Sequence, residues 1–136
     1  MSGLDALSPR MTAEQARMLS PLQLAYIGDS VHALLVRCEL IHKDLLVRDM
    51  HRAANETVSA VSQARELQAL LPLLTEEEAA VVRRGRNAHP HHSAPKSASQ
   101  GEYAGATGLE ALLGYLYLTG QTDRLRAFLP YLKAEV

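Results

Sequence analysis

The chain has 136 residues, a net charge of −1 from 14 Lys and Arg against 15 Asp and Glu, and a single cysteine. A chain of this length is expected to form one domain with a real core and no second folded module. Near-neutral charge excludes uniform attraction to a polyanion, and one cysteine excludes an internal disulfide and points to a reducing compartment. The opening Met1-Ser-Gly-Leu-Asp5 lacks the pattern of a secretion signal, and no uncharged run approaches the roughly twenty residues that span a bilayer. A cytoplasmic location is expected.

In chain order, residues 1–10 are small and polar with Pro9 and read as a flexible N-terminus, with 11–136 as the single domain. Thr12-Ala-Glu-Gln15 is a capping box that opens a short helix through about Leu19. Ser20 caps the next, with Pro21 at its first position and Gln23 at its third. This helix, about 22–41, carries two apolar stripes: Leu24, Ile27, Val31, Leu34, Leu35 and Cys38 on one side, and Leu22, Tyr26, Asp29, Ala33, Val36 and Leu40 nearly opposite. A helix apolar almost all round is expected to be the buried central helix, with Cys38 a small core residue. Asp29 then lies within an apolar stripe, where it is either neutral or met by a cation or a donor. Gly28 beside it is costly in mid-helix, by about 1 kcal/mol relative to alanine, unless something approaches closely.

After the polar break His42-Lys-Asp44, Leu45 to Thr57 reads as a helix with Val47, Met50, Ala54 and Val58 in phase. Ser59 caps a further helix, Val61 to Leu71, that turns Val61, Ala64, Leu67, Leu70 and Leu71 to one face and ends at Pro72. Thr75-Glu-Glu-Glu78 is another capping box, and Gly85 is expected to close that helix or to turn within it. Residues 87–101 form the one long loop-like tract. The stretch Thr107-Gly-Leu-Glu-Ala-Leu-Leu-Gly-Tyr-Leu-Tyr-Leu118 sets Glu110 among leucines, with Gly114 one turn later. Thr122 or Asp123 caps a last helix whose Leu125, Phe128, Leu129 and Leu132 face inward, with a bend at Pro130. No strand pattern and no internal repeat occurs, so the fold class is all-α.

Asp29 and Glu110 are each a lone acid beside a small residue in an apolar helix. If the two helices pack together through Gly28 and Gly114, both carboxylates converge on one point, and close carboxylates repel unless a divalent cation lies between them. Charge is also sorted along the chain: Glu76, Glu77 and Glu78 are followed, from Arg83 to Gln100, by Arg83, Arg84, Arg86, Lys96 and three histidines with no acid. That tract is the candidate site for phosphate contacts. His89, His91 and His92 read as surface-loop residues that touch a phosphate backbone when protonated, because Pro90 and the lack of nearby Cys or Asp disfavour zinc. Tyr26, Tyr115 and Tyr117 read as core residues, one hydroxyl lying near the acids.

Ala25-Tyr-Ile-Gly-Asp-Ser-Val-His32 resembles the ribonuclease III motif Glu-Phe-Leu-Gly-Asp-Ala-Val-Leu, and the block around Glu110 resembles the family's second acidic block, Asp-x-x-Glu-Ala-Leu. The short length, the run Val81-Val-Arg-Arg-Gly-Arg-Asn-Ala88 and Pro95-Lys96 resemble the Mini-ribonuclease III branch, which has the catalytic domain without a double-stranded-RNA-binding domain. The likeness covers about Leu19 to Leu129. It implies a compact helical bundle of the ribonuclease III type in which Asp29 and Glu110 are catalytic, metal-binding acids. It further implies Mg²⁺ as cofactor, with Mn²⁺ able to substitute, and a homodimeric endoribonuclease that cleaves double-stranded RNA and leaves 5′-phosphate ends. RNA is expected to contact Arg83, Arg84, Arg86, Asn87 and Lys96. The branch suggests trimming of large-subunit ribosomal RNA precursor, with a ribosomal protein shaping the substrate. Two family acids are replaced, by Ala25 and Thr107, which leaves open a non-catalytic dimeric RNA-binding protein of the same fold. A plain helical dimerisation module is the other rival.

Overall fold

The computed structural model describes residues 5–88 and 99–132, and among them there are helices and connecting turns but no strand. Seven α-helices follow one another: α1 (Ala13–Arg17), α2 (Pro21–Ile41), α3 (Val47–Thr57), α4 (Ala60–Leu70), α5 (Glu76–Asn87), α6 (Gln100–Leu118) and α7 (Thr122–Phe128). Their starts are coded locally. Thr12, Ser20, Thr75 and Ser99 each accept the backbone N–H three residues on, while the Gln or Glu at that position reaches back to the cap, so donors that the first turn leaves unpaired are satisfied reciprocally. Ser59 caps α4 through the N–H of Ser62, as expected. Neither Thr122 nor Asp123 caps α7; Gln121 holds that place, and its side chain makes no capping bond to the helix. The second acidic helix starts earlier than its leucine-rich block suggested, because Ser99 and Glu102 form a capping box two turns upstream.

The central helix is α6, not α2. From Ala104 to Leu116 all its residues except Glu110 are buried, and α2, α4 and α5 pack around it. The longer α2 changes partner partway. In its first half Leu24 and Val31 join the main core with Leu109, Leu112, Leu113 and Leu116, whereas Val36 and Leu40, from the other stripe, bury against Ala53 and Ala54 of α3. Ile27 and Leu35 are partly buried against the main core, and other apolar residues of α2 face outward. Leu22, Leu34, Ile41 and Cys38 are exposed, and Tyr26 is 80% exposed, which corrects the expectation that α2 is buried all round with Tyr26 and Cys38 in the core. On α3, Val47 is likewise exposed, and alanines make the contact. On α4, Leu67 and Leu70 are inside as expected but Leu71 is exposed, and the buried polar Gln63 and Glu66 share the inner face.

Gly85 neither ends nor turns α5, which runs unbroken to Asn87 with Gly85 buried against α6. Among the described residues before α1, the Pro9 carbonyl lies against Gly120 and Tyr117 donates to the Ala6 carbonyl. Tyr115 is buried and donates its hydroxyl to Glu77. Neither tyrosine hydroxyl is given to the acids.

The closest approach in the fold is between α2 and α6. A Cβ on Gly28 would lie 1.6 Å from the carbonyl oxygen of Glu110, and one on Gly114 would lie 2.0 Å from that of Leu24. Backbone touches backbone there, and no side chain can yield to make room. Because position 28 meets 110 while 24 meets 114, the helices run in opposite senses across the contact. Gly28→Ala is therefore expected to force α2 off α6 and to lower unfolding free energy by roughly 3 kcal/mol or more, above the usual overpacking cost. Gly101→Ala, whose Cβ would meet nothing closer than 3.9 Å, is expected to be neutral or to stabilise by up to about 1 kcal/mol. Denaturant unfolding of the two variants checks the contrast.

Candidate active site

The glycine contact brings the two lone acids together. Asp29 follows Gly28 directly, and Glu110 is the residue whose carbonyl Gly28 touches. Asp29 lies close enough to Glu110 for its carboxyl to raise that of Glu110. Asp29 is exposed rather than set in a buried stripe, and Glu110 is the half-buried member of the pair.

Burial above all, then the hydrogen bond and charge of Asp29, push the Glu110 carboxyl up to about 8, while an amide donor from Gln63 partly counteracts this. At neutral pH Glu110 therefore still holds its proton, since two adjacent negative charges in a partly desolvated place repel. Such a donor set suits a hard divalent cation, which would replace the proton and remove the repulsion. Among the described residues no group of three His, Cys, Asp or Glu gathers anywhere to hold a metal. Ala25 is buried, and Thr107, also buried, gives its hydroxyl to the Tyr103 carbonyl at 3.0 Å, so neither supplies a ligand. The protein's own contribution at this point is two carboxylates.

Three further polar side chains adjoin the pair and were missed in the sequence. Gln63 and Glu66, one turn apart on α4, and His32, one turn after Asp29 on α2, are buried and bonded to one another. A polar Gln-x-x-Glu spacing on a face continued by Leu67 and Leu70 was the available signal.

Of the expected RNA contacts, Arg83, Arg84 and Asn87 are exposed at the end of α5. Arg84 Nη2 donates to the Leu19 carbonyl at 3.4 Å. The stem of Arg86 lies over Gly108, where an added Cβ would come within 2.9 Å of its Cγ, so this side chain packs on the residue two before Glu110. Arg65 joins Arg86 in lining a cleft with Gln68 and Ser99; it was not foreseen, because it lies on a different helix from the basic run. Lys96, His89, His91 and His92 lie outside the described residues.

A family model described as a ribonuclease III domain matches residues 22–121, which include both acids. The chain belongs to the ribonuclease III family. Within it the resemblance is to the Mini-ribonuclease III branch. The chain is 54% identical over 108 residues to a protein named Mini-ribonuclease 3 from Symbiobacterium thermophilum, covering 79% of this chain and 82% of that one. A second protein of that name, from a Thermoanaerobacter species, is 42% identical over 130 residues, covering 95% and 91% respectively. A crystal structure of a Fusobacterium nucleatum protein superposes with a TM-score of 0.76 at 25% identity, over 84% of this chain and 91% of that one. This ribonuclease III domain is thus all-α, and its activity class is that of an endoribonuclease.

The raised Glu110 carboxyl has a consequence for stability without metal. Between its ordinary value of 4.5 and about 8 the folded state holds a proton that the unfolded chain has lost, so stability present below pH 4.5 declines as pH rises towards 8. Glu110→Gln removes that decline. In chelator, the wild-type melting temperature is expected to fall more steeply from pH 5 to pH 8.5 than that of Glu110→Gln. Parallel curves would show that Glu110 ionises without strain.

Proposed function

We propose that this chain is a cytoplasmic, divalent-cation-dependent endoribonuclease that cleaves double-stranded RNA as a homodimer and trims large-subunit ribosomal RNA precursor. The observation that carries this reading is the meeting of Asp29 and Glu110, one exposed and one half-buried, with Glu110 held up near 8 by its neighbour and by burial. The two carboxylates fit a cation that keeps most of its water, which is the habit of Mg²⁺, with Mn²⁺ as substitute. When bound, such an ion supplies the charge that activates a water for in-line attack and offsets the negative charge on the leaving 3′ oxygen. The new phosphorus–oxygen bond forms from water and the phosphorus–O3′ bond breaks, giving 5′-phosphate and 3′-hydroxyl ends. Asp29 presents its carboxylate to solvent, where a phosphodiester can reach it. Glu110, once without its proton, would hold such an ion from the half-buried side of the pair.

Phosphates of the duplex are assigned to Arg83, Arg84, Arg86, Asn87 and Lys96, with Arg65 added from the cleft it shares with Arg86. Duplex RNA is recognised mainly by shape and backbone, so a ribosomal protein that shapes the precursor is a fitting partner.

A duplex presents two related strands, and a two-fold dimer with one site per protomer suits that symmetry. Support comes from the exposed flank of α2. Tyr26 and Leu22 line an apolar groove with Met11, Leu19, Ile27 and Leu118, and Tyr26 is among the exposed large side chains. Exposed apolar side chains gathered on one helix flank suit a protein–protein contact. No helix of the described residues is long and apolar enough to cross a membrane.

With a ribosomal precursor duplex and Mg²⁺, Asp29→Asn and Glu110→Gln are each expected to lower the cleavage rate by roughly a thousandfold, about 4 kcal/mol of barrier, while retaining RNA affinity. Cleavage by either variant at the wild-type rate would reject the site and leave the non-catalytic RNA-binding reading. Tyr26→Glu is expected to give monomers in sedimentation velocity and to lose double-strand cleavage; a dimer that survives this change would place the interface elsewhere.

A further inference from the structure

A cleft of about 400 Å³ opens along α4, between the end of α3 and the short helical turn Leu129–Tyr131, and neither Asp29 nor Glu110 lines it. Its wall includes Glu66, an acid only 8% exposed. Glu66 Oε2 lies 2.8 Å from His32 Nε2, and the buried His32 is held in turn by Gln63, so the carboxyl group is fixed in place. Its other oxygen, Oε1, has only the Ser62 hydroxyl, at 3.5 Å, among the described residues. A carboxylate accepts about four hydrogen bonds, and this one therefore has room for the donors of a ligand. Arg65 is exposed, lines the same cleft, and has no hydrogen bond or ion pair to a described residue. Tyr131 adds an aromatic ring, and Ser59, whose oxygen accepts from the backbone of Ser62, keeps its own O–H to give.

A fixed carboxylate on a cleft wall selects a partner with two adjacent N–H donors. Among the RNA bases only guanine has such an edge, at N1–H and the 2-amino group. On adenine, cytosine and uracil the donor is flanked by an acceptor, which a carboxylate repels. An unstacked base is held in this way, by its pairing edge and by stacking on an aromatic ring, and a mononucleotide suits a cleft of this size. We propose that the cleft binds a guanine nucleotide, with Glu66 on the N1–H and 2-amino edge, Tyr131 against the base and Arg65 on the phosphate. Glu56, the cleft's other acid, suits the ribose hydroxyls. Arg65 also lines the neighbouring cleft that contains Arg86, so the same chemistry serves free GMP and an unpaired guanosine in bound RNA. The second source rests on the reading of the chain as an enzyme that cuts RNA.

GMP, IMP and AMP are titrated by calorimetry into wild type, Glu66→Gln and Ala69→Phe. IMP differs from GMP only in lacking the 2-amino group. Wild type is expected to bind GMP saturably and both other nucleotides about tenfold more weakly, the loss that follows removal of a hydrogen bond to a charged group. Glu66→Gln should remove that preference. Ala69 is exposed on the cleft wall, so Ala69→Phe should fill the cleft and abolish GMP binding with little change in melting temperature. It carries the comparison if Glu66→Gln does not fold. In chelator, a duplex RNA with a bulged guanosine is expected to bind wild type about tenfold more tightly than one with a bulged adenosine, by the same hydrogen-bond loss, and the two variants equally. Preference for GMP without preference for the bulged guanosine would assign the cleft to the free nucleotide. Equal affinity of wild type for all three nucleotides, or GMP binding unchanged in folded Ala69→Phe, overturns the proposal. Were GMP bound and discriminated by a protein that cuts no duplex in Mg²⁺, the cleft would stand and the nuclease reading alone would fail.

Discussion

Everything at the candidate site depends on two helices touching backbone to backbone. A helix pair held apart by ordinary side chains keeps its axes about 8–10 Å apart, and a short Asp and a Glu on such a pair need not meet. Gly28 and Gly114 remove the spacers on both sides of the crossing, so the residue next to Gly28 and the residue opposite it become neighbours. The contact that packs the core is thereby the contact that assembles the chemistry. The cost of glycine in mid-helix is offset by burial of the leucines on α2 and α6 that closes around it.

The same closeness makes the apo site electrostatically uncomfortable. Glu110 is pushed up by burial and by Asp29, and the bundle tolerates this because its neighbours on α6 from Ala104 to Leu116 are buried against α2, α4 and α5. A strained acid pair on a well-packed helix is a common way to hold a functional group in a state it would not choose in water. Behind it, the Gln63–His32–Glu66 chain shows that polar order continues inward from the pair, with each buried donor and acceptor matched.

The outer surface divides its roles among neighbouring elements. The end of α5 and the cleft beside it gather Arg83, Arg84, Arg86 and Arg65, while the acids Glu77 and Glu78 at the start of α5 are tied up, by Tyr115 and Arg17 and by Arg124. A chain with net charge of −1 can therefore still present a basic face. The exposed flank of α2 adds an apolar face beside Tyr26. Asp29 stands on this same helix.

Much was determined by the sequence alone, wherever the physics is local. The capping boxes at Thr12, Ser20 and Thr75 set helix starts because a cap acts within four residues. The glycines beside Asp29 and Glu110 marked a close approach because nothing else justifies them in mid-helix. Tertiary structure decided what depends on which neighbour arrives. Both stripes of α2 are equally apolar on paper, and only the placing of α6 and α3 determined that Leu24 and Val36 go inside while Tyr26 and Cys38 stay out. In the same way Gln63, Glu66, His32 and Arg65 look like ordinary polar positions in sequence. Their partners lie on other helices, and a hydrogen bond across a bundle leaves no trace in the spacing of either strand of the chain that makes it.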